Sequence, residues 1–278
     1  MPRASWLLMA TEASSFLVAT QNAQVGIGSH RQHHVLSHSW RYLLPHQQSL
    51  RNLEEIAARL RGMDIVGLNE VDAGSFRSQY LNQAAFLAEH IGTPYWTQQR
   101  TRDWGDIAQH SNSLLSRWPI IEVERHAFQG TLKGRGLLRA AIEVQGRPVQ
   151  VLITHLALAK PGRMRQVRQL LPFLRSEMPT ILLGDLNCGQ DSNELRCLRD
   201  TGGLQSPSAQ PATFPSWSPQ WRFDHILISD ELRFAEVWTC AEQRSDHLPL
   251  MARLQWRDDA WENAVQQAYC PKPNDLRV

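Results

Sequence analysis

Six short polar clusters in this chain each sit against an apolar run: Asn22, Asn69-Glu70, His155, Asp185 with Asn187, Asp224-His225, and Ser245-Asp246-His247. Their residue types narrow the chemistry. Carboxylate and amide oxygens are the hard ligands that Mg²⁺, Mn²⁺ or Ca²⁺ prefer. A histidine beside a carboxylate suits proton transfer, or stabilisation of charge on a phosphoryl oxygen. No cysteine joins the set, which argues against structural zinc. None of Cys188, Cys197, Cys240 and Cys270 falls in a CxxC pair, so a redox motif is not indicated and a reduced, cytoplasmic protein is expected.

Each cluster needs an element to deliver it. An apolar strand over 15–21 runs into Asn22. Helical spacing of Leu50, Leu53, Ile56, Ala57 and Leu60 predicts a helix over 47–60, with Gly62 as its stop. A strand over 65–68 then presents Asn69 and Glu70. A second helix is expected over 79–90, followed by an aromatic and polar loop over 95–110. Strands are expected over 113–115, 138–144 and 149–154, the last two joined by a turn at Gly146-Arg147. Pro161 and Gly162 open a basic helix to Leu174. Ile181-Leu182-Leu183 leads to Asp185, and strands over 223–228 and 248–254 follow. A last helix is expected over 259–268. Strands recur from end to end without strict strand–helix alternation in the middle, which favours one layered α/β domain over 1–278 rather than a simple Rossmann sheet. The polar strand ends can then converge at one sheet edge, where such proteins hold ligands.

The ordered set resembles the endonuclease/exonuclease/phosphatase superfamily. The resembling pieces are Gln21-Asn22, Leu68-Asn69-Glu70-Val71, Thr154-His155-Leu156, Gly184-Asp185-Leu186-Asn187, Phe223-Asp224-His225-Ile226 and Ser245-Asp246-His247, with weaker matches at Asn112 and at Arg135-Gly136. The resemblance implies a DNase I-like four-layer α/β sandwich, with two packed, mainly antiparallel sheets flanked by helices. It implies Mg²⁺ (or Mn²⁺ or Ca²⁺) held by Asn22, Glu70 and Asp246. It implies that Asp185 orients or deprotonates the attacking water, with Asn187 beside it. His247, oriented by Asp224, and His155 would face the scissile phosphate, with Asn112 and Arg135 as further phosphate contacts.

Bland readings compete residue by residue. Gly184-Asp185-Leu186-Asn187 alone makes a good turn, Glu70 alone an ordinary surface carboxylate, and Ser245-Asp246-His247 a cap. Jointly they would require six coincidences in one order. His225 is expected to pack beside Asp224. The histidines at 30, 33, 34, 38 and 46 are irregularly spaced, which favours a solvated or site-rimming loop over a metal site. Arg163, Arg165 and Arg168 fit a solvated helix face as well as a polyanion grip. Trp40, Trp96, Trp104, Trp217 and Trp221 lie in loop-like segments where some could stack on bases or meet lipid.

For the substrate, the formal charge of +2 does not point to nucleic acid by field alone. Hydrolysis of a phosphodiester is the leading expectation, a nuclease being one version. Asn69-Glu70-Val71-Asp72 departs from the Gln-Glu-Thr-Lys of abasic-site enzymes and looks closer to the bacterial and lipid-directed branches. A phosphatase or phospholipase-type activity on a lipid, inositol or other small phosphate ester is therefore the alternative, with peripheral lipid contact. A non-catalytic binding module is the third, against which the complete set of metal and acid–base residue types argues. No stretch reaches the roughly 20 apolar residues of a membrane span, residues 6–10 are only a weak look-alike of a signal peptide, and a monomer is expected.

Overall fold

The computed structural model describes residues 15–26, 47–130, 134–240 and 244–257. The expected helix over 259–268 and the histidine-rich stretch over 30–46 lie outside the described residues. The described chain forms two mixed sheets. The first, of six strands, contains β1 (Ser15–Asn22), β2 (Ile65–Val71), β3 (Tyr95–Asp103), β4 (Gln109–Ser116), β10 (Leu232–Thr239) and β11 (Leu250–Trp256), in the order β10-β11-β1-β2-β4-β3. The second runs in sequence order: β5 (Ile120–Ala127), β6 (Gly136–Val144), β7 (Arg147–Thr154), β8 (Thr180–Asp185) and β9 (Asp224–Ile228). Two pairs are parallel, β1 with β2 and β7 with β8, and the remaining neighbours are antiparallel.

Alternation along the strands sorts side chains into layers. Phe16, Val18, Ile65 and Leu114 from one sheet meet Leu138, Ile153, Ile181, Leu183, Ile226 and Ile228 from the other in the central core. The opposite faces are covered by helices. Leu53, Ile56 and Leu60 of α1 (Gln47–Leu60), with Ala84, Leu87 and Ile91 of α2 (Gln83–Ile91), pack on Ala19, Val66, Leu68 and Leu115. Val167 and Leu170 of α3 (Lys160–Leu170), with Leu195 and Leu198 of α4 (Asn193–Asp200), pack on Leu137, Leu152, Leu182 and Leu227. The result is four layers, helix–sheet–sheet–helix. Strands covered on both faces read as unbroken apolar runs, as Ile181-Leu182-Leu183 does.

Several boundaries differ from expectation. The second helix starts at Gln83 because the Asn82 side chain caps it, accepting from the Ala85 N–H at 3.1 Å. The 95–110 segment is not a loop: most of it is β3, which pairs with β4. The turn before β7 is Gln145-Gly146, both with positive φ (54° and 81°), as a two-residue hairpin turn requires. The basic helix ends at Leu170 and continues as a 3₁₀ turn, Leu171–Arg175. No helix among the described residues is long and apolar enough to cross a membrane.

Candidate active site

The polar clusters meet at one edge of the sandwich because of strand direction. Parallel β1 and β2 bring Asn22 and Asn69 opposite each other at their C-terminal ends. Parallel β7 and β8 do the same for the Thr154-His155 step and Asp185. Antiparallel β9 and β11 contribute through their N-terminal ends: Asp224 pairs with Asp185 across β8 and β9, and His247 lies just before β11.

Asp185 is the hub, only 2% exposed. Its Oδ2 accepts from Asn22 Nδ2 at 3.2 Å and faces His155 Nε2 at 3.4 Å and His247 Nε2 at 3.7 Å. Its Oδ1 accepts from the Asn187 N–H at 2.9 Å. Burial pushes the Asp185 carboxyl up to about 7, a rise that His247 opposes and Asp224 reinforces. His247 Nδ1 bonds Asp224 Oδ2 at 2.8 Å. Burial alone would push the His247 imidazolium down, but Asp224, Asp185 and Asp246 hold it well above its ordinary value. It is therefore charged near neutral pH, with Nδ1–H donating to Asp224 and Nε2–H turned to Asp185. His155 is the opposite case. Burial and the nearby Arg135 guanidinium push it well below its ordinary value. Arg135 Nη1 lies 3.0 Å from His155 Nδ1, and because a guanidinium only donates, that nitrogen is the acceptor and Nε2 carries the hydrogen.

Glu70 is 22% exposed and lies 3.7 Å from His155 Nδ1. It sits in a break of register between β2 and β4, with a left-handed φ of 54°. A carboxylate-bearing residue held there is the kind of bulge that re-aims a side chain at a site. Burial and the neighbouring Asp246 carboxylate push Glu70 up, and burial pushes Asp246 up as well. These two carboxylates, plus the Asn22 amide, make an oxygen-rich set of the donor type that a hard divalent cation takes. Asp185, Asp224 and His247 also lie within 4.8 Å of one another. A cation among those three would face the charged imidazole, so the oxygen-rich Glu70 side is the better home.

Other expected residues are placed as follows. The Asn187 side chain donates to Leu156 O at 3.0 Å, and its φ is 51°. The Asn112 amide is engaged within the framework: Oδ1 accepts from Asn69 Nδ2 at 2.9 Å and Nδ2 donates to Gly136 O at 3.1 Å. His225 is buried, its Nε2 2.8 Å from Cys188 O. Arg163 pairs with Glu194 at 2.9 Å.

Residues with no assigned part at the sequence level hold the cluster together. Asn69 accepts the Asp185 N–H at 2.8 Å, so the two sheets are bridged beneath the site. Thr213 donates its hydroxyl to Asp224 Oδ2, the oxygen that also takes His247. Gln21 Nε2 donates to His247 O at 3.1 Å, and Ser245 Oγ to Asn22 O at 2.7 Å. Asn69 and Ser245 stand inside recognisable clusters, whereas Thr213 comes from an irregular loop and carries no pattern. A cavity of about 400 Å³ lined by Ser49, Leu50, Arg77 and Gln83 shares no residue with this cluster, and its Arg77 is paired with Asp72 at 2.7 Å.

A model of the endonuclease/exonuclease/phosphatase family matches residues 19–247. Among solved structures, an endonuclease/exonuclease/phosphatase from Beutenbergia cavernae is similar at 21% identity, with a TM-score of 0.67 over 87% of this chain and 72% of that one. The mannosyl-6-phosphatase of Bacteroides thetaiotaomicron is similar at 17% identity and a TM-score of 0.64, over 87% of this chain and 100% of the other. Sphingomyelinase C from Streptomyces griseocarneus is similar at 20% identity and a TM-score of 0.59, over 86% and 99%. Among curated proteins no sequence match is found.

Proposed function

Because the chain belongs to the endonuclease/exonuclease/phosphatase family, we propose that it is a divalent-metal-dependent phosphoesterase that hydrolyses a phosphodiester by in-line attack of water. The observation that carries this reading is the single oxygen Asp185 Oδ2, faced by the Nε2 atoms of both His155 and His247 at 3.4 and 3.7 Å. A carboxyl near pH 7 can orient a water and take its proton. The charged His247, fixed by Asp224, stabilises negative charge building on the phosphoryl oxygens. Neutral His155 offers an Nε2–H to the same group, and Arg135 fixes its tautomer. Glu70, Asp246 and Asn22 would hold the cation, which when bound neutralises phosphate charge and stabilises the leaving oxygen.

Likeness to a sphingomyelinase keeps a lipid diester within this first reading, whereas likeness to a mannosyl-6-phosphatase supports a second, in which the ester is a sugar monoester. Hydrolysis of bis-p-nitrophenyl phosphate and p-nitrophenyl phosphate, with Mg²⁺ or Mn²⁺ and with EDTA, separates the two. Cleavage of the diester that EDTA abolishes supports the first. Cleavage of the monoester alone moves the assignment to a phosphatase. Turnover indifferent to EDTA contradicts metal dependence.

A further inference from the structure

A row of stacked rings leads from His247 to solvent. The Phe214 ring lies 4.7 Å from the His247 ring at 45°. Phe223 stacks on Phe214 at 5.4 Å and 27°, and Trp221 on Phe223 at 6.1 Å and 12°. Phe214 and Phe223 are half-buried, while Trp221 is 55% exposed. The row is fixed in place. Phe214 and Trp221 exchange backbone hydrogen bonds at 3.1 and 2.8 Å, closing a small hairpin. Ser216 ties that hairpin to the site, its N–H donating to Asp246 O at 2.7 Å and its hydroxyl to Ser245 O at 2.6 Å. The cation beside the row, Arg222, turns its Nε to Gln210 O at 2.6 Å.

Single exposed apolar residues need no explanation, but three contiguous rings that end on a charged histidine do. Packing accounts for Phe214 and Phe223. It leaves the outer surface of Trp221 in water, where apolar area is costly unless something covers it. Aromatic faces hold flat or weakly polar ring faces by stacking, without reading their hydrogen-bonding edges.

We propose that Phe214, Phe223 and Trp221 form a wall that binds the organic group carried by the reacting phosphate, and that this group is a ring with a flat, uncharged face, a nucleobase or a sugar. The proposal rests on the phosphate-ester reading above and narrows it: a ring-bearing ester is preferred to one with an open-chain alcohol of the same charge.

Isothermal titration in Mg²⁺ buffer with thymidine 5′-monophosphate, glucose 6-phosphate and glycerol 3-phosphate tests it, with released phosphate measured alongside so that the heat of binding is separated from that of turnover. At least one ring-bearing phosphate binds about tenfold more tightly than glycerol 3-phosphate. An advantage confined to the nucleotide assigns a base to the wall, and one for glucose 6-phosphate assigns a sugar face. In Trp221→Ala the advantage disappears, and in Trp221→Phe most of it returns. Equal binding of all three by the native protein, or no binding of any, overturns the proposal, as does an advantage that survives Trp221→Ala. A ring advantage in a protein that cleaves neither nitrophenyl ester leaves the wall standing and removes the hydrolase reading alone.

Discussion

At Asp224, two donors converge on one oxygen: the Thr213 hydroxyl and His247 Nδ1 both bond Oδ2, while Oδ1 is buried without a hydrogen-bond partner. The carboxylate charge is thereby directed at the imidazole, and that is what keeps His247 charged. Asp224→Asn removes the charge and leaves the shape. It is expected to lower kcat by about 10²–10⁴ with a much smaller change in KM, as loss of an acid–base partner does. Steady-state kinetics on a nitrophenyl ester, with circular dichroism to verify folding, provides the check. An unchanged kcat would take the Asp224–His247 pair out of the chemistry. The pair itself was legible in the sequence, because both residues abut apolar strands. Thr213 and Phe214 were not, since they come from a proline-rich segment with no periodicity to place them.

Among the elements, the strands that sequence reasoning missed are edge strands. β3, β5 and β10 each lie at the end of a sheet, and each mixes exposed with half-buried residues. These three carry charge on the side that faces water, so the apolar runs that identify β7 and β8 do not form there; β9 also ends its sheet but is buried along its whole length and keeps its run. Two features at strand ends make sharper predictions. Gly184 has φ +146°, and a Cβ there would fall 1.8 Å from Thr154 O. Gly184→Ala is expected to cost about 3 kcal/mol or more, whereas Gly62→Ala, at φ +83° with open space around it, costs about 1 kcal/mol. Urea denaturation of both variants decides; equal costs would contradict the close approach of β7 and β8.

The turn after β2 depends on Asp72, which accepts from the Gly74 and Ser75 N–H groups and the Ser75 hydroxyl, and pairs with buried Arg77. Burial would raise its carboxyl, but Ser75 and Arg77 hold it below the ordinary 3.8. A carboxylate depressed in the folded state stabilises fully above its unfolded value, and that stabilisation is lost as pH falls through the folded one. Asp72→Asn should cost about 3–5 kcal/mol at pH 7, because it strands the Arg77 charge. The gap from the native protein should narrow below pH 3.8. Thermal midpoints across that range test the sign, and a gap that widens on acidification would refute it.

For the whole molecule, the site exists only while the two sheets face each other. Asn69 of the first sheet holds the Asp185 backbone of the second, and Asp185 in turn holds Asn22 of the first. The inter-sheet core beneath is fully buried at Leu183, whose Cβ would lie 2.9 Å from a side chain at Gly67. Leu183→Ala is expected to destabilise by about 2–5 kcal/mol in urea. A cost under about 1 kcal/mol would mean that the sheets close over the gap. The layered α/β class was readable because strands recur among helices from end to end of the chain without strict alternation. The pairing of strands into two sheets was not, since it depends on contacts between residues far apart in sequence.

The most direct test of the Asp185-centred site is the rate of bis-p-nitrophenyl phosphate hydrolysis in Mn²⁺ buffer, native protein against Asp185→Ala, with a melting curve for each. Metal-dependent turnover is expected in the native protein, with a loss of at least about 10²-fold in a variant that still melts cooperatively. Comparable turnover by the two proteins would contradict it.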